Sequence, residues 1–449
     1  MLEQAVQELY ESKLTSAAEA VGAIRPGDVV LWACLAEPTG LTDEFVRQKE
    51  RLRGLRMVHD LSLYPHPWFE PGFDAFTIFE NYPGAFTRKP VAEGRVEFIP
   101  WAFGLGTTDR AQDPQRHHYF TAPDVYLTEV TPPDAAGFVS FGNYPWFADV
   151  AAKNARIVIG EVNPNLLRTT ARAHLSDITY LVEAPPKPAM EKGALPAAPQ
   201  EDLDIAQVIG AQCADLIRDG DTIQMGIGGG SEWTQDFLSD KNELGIHSEF
   251  ISVKVVQLVK QGVITGARKT VNTGVCVSAG LGIRPEFPGV DEAIEYVTSN
   301  PDKFAFRALS YVSNVRTVAE HDSFTAINSA LACDLTGQLV VNYLGNHPIS
   351  GIGGNLDFTI GAHYSKNGRA VHCLMSTARG GTRSRIVPQH PEGAIISVPR
   401  TYVDYLVTEH GVVNLEGKSV RERAELIISI AHPDFREGLR AEGKNLGLI

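Results

Sequence analysis

Ile24-Arg25-Pro26-Gly27-Asp28-Val29-Val30 returns later in the chain as Ile217-Arg218-Asp219-Gly220-Asp221-Thr222-Ile223. Each copy follows a stretch with Ala and Ile or Leu at helical spacing, Ala17 to Ala23 in the first and Ile205 to Ile217 in the second. Each leads through a short strand and a turn into a helix that opens alike, Thr42-Asp43-Glu44-Phe45-Val46 against Thr234-Gln235-Asp236-Phe237-Leu238. Two matches in register at nearly the same offset argue for a duplicated α/β unit rather than two unrelated joints. Short apolar runs at 156–162, 178–183 and 394–398 alternate with helical or helix-containing patterns at 45–55, 249–261 and 420–430. That alternation predicts an α/β fold of two similar, open, mostly parallel sheets with helices on their faces. In such folds ligands bind beyond the carboxyl ends of the strands, and an active site in a cleft between the two domains is expected.

The composition is that of a globular protein with ample core: 449 residues, 43% apolar and 21% charged, enough for two or three domains. A Pro/Ala-rich stretch at 183–200 has no apolar periodicity and reads as a linker between domains at 1–182 and 201–449. No apolar run approaches the ~18 residues of a membrane helix. The first 21 residues read as a polar helix without the basic start and apolar middle of a signal peptide, so a cytoplasmic enzyme is expected. The net charge of −14 repels nucleic acid and anionic membrane, which excludes both as main partners. The five cysteines (Cys34, Cys213, Cys276, Cys333, Cys373) are odd in number and form no CxxC pair, which argues against a disulfide framework or zinc ribbon. The histidines include no HExxH, and the adjacent His117 and His118 would point to opposite sides of a strand, so no metal is expected.

Chemistry concentrates in the second half. Met225-Gly226-Ile227-Gly228-Gly229-Gly230-Ser231 follows a predicted strand and precedes a predicted helix. A backbone bare of side chains there offers N–H donors to a phosphate or an oxyanion, although a tight structural turn has the same composition. Ser350-Gly351-Ile352-Gly353-Gly354-Asn355-Leu356-Asp357-Phe358 is a second such loop, with Asn355 as a side-chain donor; a sharp bend needing positive φ is the alternative. Glu249, in Gly245-Ile246-His247-Ser248-Glu249-Phe250, ends a predicted strand just before a helix, where the first copy has its counterpart near Val58. A strand-end Glu is most often a solvated cap. His247 and Ser248 lack a GxSxG elbow and point oppositely, so a serine hydrolase is disfavoured. Arg379, Arg383 and Arg385 sit among small polar residues, either an anion clamp or a solvated loop.

Longer ordered runs carry a family resemblance. Thr131-Pro-Pro-Asp-Ala-Ala-Gly-Phe-Val-Ser-Phe-Gly, Gly160-Glu-Val-Asn-Pro-Asn, Gly245-Ile-His-Ser-Glu, Asp334-Leu-Thr-Gly-Gln, Ser350 to Phe358, Val407-Thr-Glu-His-Gly-Val and Ile430-Ala-His-Pro-Asp-Phe-Arg run from near one end to the other. In these the chain resembles the acetyl-CoA hydrolase/transferase family, most closely its 4-hydroxybutyrate and butyryl-CoA:acetate CoA-transferase branch. The resemblance implies acyl-CoA and small carboxylate substrates, coenzyme A as substrate and covalent intermediate, and a homodimer or higher homo-oligomer. It implies Glu249 as the catalytic nucleophile, forming an acyl-glutamyl anhydride and then a glutamyl-CoA thioester. It matches Gly226, Ile227, Gly228, Gly229 and Gly230 to the CoA-binding turn, and Gly351, Gly353 and Gly354 to the loop near the CoA tail and oxyanion. Asn314, in Tyr311-Val-Ser-Asn, is expected as an amide donor and Asn328 as a further CoA contact.

The chain also departs from the branch. Phe250-Ile-Ser-Val253-Lys254 stands where the branch reads roughly Met-Ile-Ser-Asp-Gly, so a cation beside the nucleophile is expected to lower its pKa or occupy the acyl site. Trp233 follows the first glycine turn and is expected to reshape the acyl or pantetheine pocket, and the segment 282–299 is longer than usual. An acyl-CoA hydrolase using the same thioester, and a catalytically idle CoA-binding protein, are the competing expectations.

Overall fold

The computed structural model describes residues 3–105, 119–185, 199–282 and 288–449. His117, His118, most of the Pro/Ala-rich stretch and part of the long 282–299 segment lie outside the described residues. The chain forms two compact units: Met1–Leu195 with Ser278–Val312 and Pro348–Gly351, and Pro196–Val277 with Ser313–His347 and Ile352–Ile449. Two stretches of the C-terminal half thus belong to the first unit, which one linker position does not describe.

The first unit is built on seven parallel strands: β1 (Val29–Trp32), β2 (Leu55–His59), β3 (Phe76–Glu80), β4 (Glu97–Phe98), β5 (Val125–Val130), β6 (Ile157–Val162) and β7 (Tyr180–Glu183). Their order is β4-β3-β2-β1-β5-β6-β7. Every residue of β1, β5 and β6 is buried, as parallel strands covered on both faces require. Helices α1 (Ala17–Gly22) and α2 (Thr42–Arg47) contribute Ala20, Val21 and Phe45 to a core shared with Trp32, Leu55 and Trp68. The helical pattern at 45–55 stops at Arg47, and the chain turns through Gly54 at φ 87° into β2.

In the second unit β8 (Thr222–Met225), β9 (Gly245–Ser252), β10 (Phe324–Ser329), β11 (Arg369–Cys373), β12 (Tyr405–Thr408) and β13 (Gly411–Asn414) run in the order β9-β8-β10-β11-β12-β13. The first five are parallel and β13 returns antiparallel. Helices α3 (Gln200–Asp215), α4 (Gly229–Trp233), α5 (Val253–Lys260) and α6 (Asn355–Tyr364) belong to this unit. The run 394–398 is not a strand. Ile395 is exposed and only Val398 bridges, to Leu339, while Tyr405–Thr408 takes the place beside β11.

The duplication goes beyond the signature. Gly27 and Gly220 both take φ 83°, and both following aspartates accept a backbone N–H three residues back, Arg25 to Asp28 at 2.8 Å and Arg218 to Asp221 at 2.9 Å. Each aspartate also pairs with an arginine at the start of the second strand over: Arg156 with Asp28, and Arg369 with Asp221. Strands β2-β1-β5-β6-β7 repeat in the second unit as β9-β8-β10-β11-β12. Register corrects one expectation. Val29 faces Arg56 and Thr222 faces Gly245, so the first-copy counterpart of Glu249 is Asp60, a buried acid, not Val58.

Candidate active site

Glu249 lies on β9, three residues beyond Ile246, the partner of Ile223 on β8. Strand alternation puts its side chain on the same face as His247 and opposite Ser248. The residue keeps some exposed surface, but its carboxyl group is enclosed. Ser313 Oγ donates to Glu249 Oε1 at 2.9 Å, and the Gly354 backbone N–H donates to the same carboxylate. Burial outweighs both donors and raises the carboxyl to about 7. Gly354 is the N-cap of α6 at φ −94°, and the absence of a side chain is what admits the carboxylate. A Cβ there would overlap Glu249 Oε1 and stand 2.9 Å from the Phe358 ring.

Lys254 does not act as the expected neighbour. Its Nζ pairs with Asp236 at 3.6 Å, and the shift of Glu249 is upward, opposite to what an adjacent cation would impose. Asn314 accepts the Arg316 N–H at its Oδ1 to cap the helix Val315–Ala319, and the hydroxyl of the preceding residue, Ser313, bonds Glu249. Ser248 Oγ donates to Met225 O at 3.4 Å while His247 Nδ1 meets His321 Nε2 at 3.3 Å, a divergence that leaves no Ser–His dyad.

The first glycine turn joins β8 to α4 with Gly228 at φ 85° and Gly229 at φ 56°, backbone that side-chain-bearing residues adopt at a cost. It is held closely from below. The Gly226 N–H donates to Ile327 O at 2.8 Å, Ser231 Oγ donates to the Gly228 carbonyl at 2.8 Å, and Gly228 N–H donates to Glu232 at 3.0 Å. A Cβ on Gly226 would stand 3.0 Å from Asn328 Oδ1 and one on Gly229 would stand 2.9 Å from Ser329 Oγ. Asn328 and Gln224 form a reciprocal amide pair, 3.1 Å in each direction, so Asn328 supports the turn from within the sheet. Ile227 is exposed at its tip. Trp233 lays its backbone and Cβ against Gly210 of α3, where a Cβ would meet both at 2.7 Å.

The second glycine loop divides between the units. Gly353, at φ 59°, and Gly354 belong to the second, and Asn355 Nδ2 donates to Ser329 O at 3.4 Å. Gly351 belongs to the first, where a Cβ would press on Tyr82 and on the Asn81 carbonyl at 2.6 and 2.8 Å. Among the arginines, Arg385 pins its own hairpin through Thr377 O and Leu331 O, whereas Arg379 and Arg383 are exposed.

Among the described residues, one buried set has metal-ligating side chains close together: Glu37, His59 and His66, with ligand atoms within 4.8 Å. These atoms already carry hydrogen bonds. Glu37 accepts from Leu63 N and pairs with His66 Nε2, both at 2.6 Å, and accepts from Ser62 Oγ at 2.8 Å; His59 Nε2 accepts from Trp68 Nε1 at 3.0 Å. The set reads as the brace of the 61–68 loop.

The second unit thus holds an enclosed carboxyl group with a hydroxyl and a backbone amide aimed at it. Family models give the class of protein. Residues 1–189 match the acetyl-CoA hydrolase/transferase N-terminal domain and residues 289–443 its C-terminal domain. The 4-hydroxybutyrate coenzyme A transferase of Clostridium kluyveri is 37% identical, covering 98% of this chain and 99% of that protein. The butyryl-CoA:acetate CoA-transferase of Anaerostipes caccae is 31% identical, covering 96% of each. RipA of Yersinia pestis superposes with a TM-score of 0.85 at 30% identity, covering 99% of this chain and 100% of that one. The chain belongs to the acetyl-CoA hydrolase/transferase family. Among the described residues no helix is long and apolar enough to cross a membrane.

Proposed function

We propose that this chain, an enzyme of the CoA-transferase class, moves CoA from an acyl-CoA to a carboxylic acid with Glu249 as the covalent nucleophile. The observation that carries the reading is the Glu249 carboxyl, enclosed, raised to about 7, and held by Ser313 Oγ and the Gly354 N–H. Its ionised oxygen attacks the thioester carbonyl, the C–S bond breaks, and CoA leaves as thiolate with an acyl-glutamyl anhydride formed. The thiolate then attacks the glutamyl carbonyl and expels the first carboxylate, leaving a glutamyl-CoA thioester. An incoming carboxylate takes the CoA by the reverse steps, so the thioester's free energy is kept. Burial that raises the carboxyl also strips water from the oxygen that attacks and from the anhydride that must survive. The turn Gly226 to Gly230, stiffened by Gln224–Asn328, is assigned to CoA, and Gly351, Gly353 and Gly354 to its reacting end and the oxyanion. Ser313 adds a donor to Glu249 beside Asn314, the expected amide donor.

Intact mass after incubation with a panel of acyl-CoAs tests this. A CoA-sized adduct discharged by one carboxylate is expected. Discharge by water alone would make the protein a hydrolase, and no adduct despite CoA binding would sink the covalent mechanism.

The pH profile has a definite sign. Only ionised Glu249 attacks, so kcat/KM rises with pH through about 7. Ser313 favours the charged form, so Ser313→Ala moves that inflection up by about one unit, the size of one hydrogen bond to a charged group. At pH 6 the variant is then about tenfold slower, and above pH 8.5 it recovers. An unmoved inflection would remove Ser313 from the site.

A further inference from the structure

Beyond the carboxyl end of β11 the chain folds back as a hairpin, with Thr377 paired to Ser384 and Ala378 to Arg383. Its base is fixed. The Ser376 N–H donates to Glu409 at 2.9 Å, the Arg385 N–H donates to Ser376 O at 2.8 Å, and the Arg385 guanidinium donates to Thr377 O at 3.0 Å and Leu331 O at 3.3 Å. Its tip is open. Gly380 and Gly381 take φ 60° and 80°, and a Cβ on either would meet nothing within 4 Å. Arg379 and Arg383 flank the tip, both exposed, and among the described residues neither guanidinium has a hydrogen bond or an ion pair. By contrast Arg47, Arg53 and Arg440, also exposed, lie on Glu44, Glu50 and Glu425. In a chain of net charge −14, two neighbouring unpaired cations make a local site for an anion from outside.

The hairpin and the first glycine turn share one edge of one sheet. Glu249, the Gly226–Gly230 turn, Ser329 and Ser376 all stand toward the carboxyl ends of parallel strands, in the order β9, β8, β10, β11. Ser329 Oγ donates to the Gly228 carbonyl at 2.8 Å, and Leu331, two residues on, is the residue that the Arg385 guanidinium holds. Neighbouring strands lie about 4.8 Å apart, so the root of the hairpin stands about 14 Å along the edge from β9. The pantetheine arm of CoA, from sulfur to first phosphorus, has the length of roughly four extended residues, about 14 Å. A thiol at Glu249 and an arm along the glycine turn therefore bring the phosphates to the hairpin. We propose that Arg379 and Arg383 clamp the phosphate groups at the nucleotide end of CoA, an inference that rests on the CoA assignment above. A guanidinium presents paired N–H donors that match two phosphate oxygens, and the bare Gly380–Gly381 tip lets the group come close.

The test compares the full chain with its Arg379→Gln/Arg383→Gln double variant. Dissociation constants are measured by calorimetry for CoA and dephospho-CoA, and by displacement of CoA for pantetheine. Loss of hydrogen bonds to a charged group should weaken CoA by about ten- to hundredfold and leave pantetheine, which has no phosphate, unchanged. Dephospho-CoA keeps the pyrophosphate and lacks the 3′-phosphate. A loss shared with it assigns the clamp to the pyrophosphate, and a loss confined to CoA assigns it to the 3′-phosphate. Unchanged affinity for CoA would make the hairpin a solvated loop, and equal losses for CoA and pantetheine would mean a disturbed turn; either overturns the clamp. A wild-type protein that binds no CoA would strike the CoA assignment together with the clamp, whereas wild-type binding with an indifferent variant strikes the clamp alone.

Discussion

Glu249→Gln is expected to lower CoA transfer by at least about 10^4-fold, the scale seen when a covalent nucleophile is removed, and to abolish the CoA adduct. The same substitution should make the protein more stable, but only above about pH 4. The folded-state carboxyl is raised from 4.5 to about 7, so between those values the folded protein holds a proton that the unfolded chain has released. Stability contributed at this site is therefore present at low pH and lost as pH rises through about 7, by at most about 3 kcal/mol. Glutamine keeps the shape, accepts the Ser313 and Gly354 hydrogen bonds, and carries no charge to desolvate. Thermal or urea unfolding of the two proteins should then coincide below about pH 4 and separate progressively up to about pH 8 with the variant ahead. A variant less stable than wild type at pH 8 would mean that the carboxylate is not held against a burial penalty, and the account of its reactivity would fail with it.

That penalty was not legible in the sequence, though the residue was. The family resemblance singles out Glu249; the local pattern alone places it at a strand end as a solvated cap, whereas β9 runs on to Ser252 and the carboxyl is enclosed. The helix–Gly-Asp–strand signatures were legible because their causes are local: Gly27 and Gly220 need positive φ, and Asp28 and Asp221 reach back only three residues. What surrounds Glu249 comes from afar. Ser313 is 64 residues away in sequence, and nothing local marks its hydroxyl as a partner of Glu249. Lys254 is near in sequence, yet its helix α5 lets it reach Asp236. The Gln224–Asn328 pair joins neighbouring strands 104 residues apart, a register that local patterning does not encode. Asp60 was missed by two residues because the β1–β2 pairing, and not the length of the apolar run, decides which residue opposes which. The Arg156 and Arg369 pairings with the two aspartates are visible only once the sheet order is known.

Gly354→Ala separates geometry from backbone strain at the nucleophile. At φ −94° and ψ 9° the position tolerates alanine, in contrast to Gly353 at φ 59°. The added methyl has nowhere to go: Glu249 Oε1 and the Phe358 ring already fill the space. Phe358 is fully buried and stacks on Phe324 at 6.1 Å between centroids, so the ring does not give way and the carboxylate moves. A displacement of about 1 Å at a reacting group is worth about 10^2-fold in rate, and overpacking of a buried site adds about 1–3 kcal/mol of destabilisation. The expected variant is folded, binds CoA with little change, and has kcat lowered by about 10^2 with KM nearly constant. Gly353→Ala should show the reverse balance, a loss of stability of about 1–2 kcal/mol from left-handed backbone with a smaller effect on kcat. If Gly354→Ala transfers CoA at the wild-type rate, the carboxylate either does not sit against this glycine or does not carry the reaction, and the CoA-adduct mass of the same variant tells which.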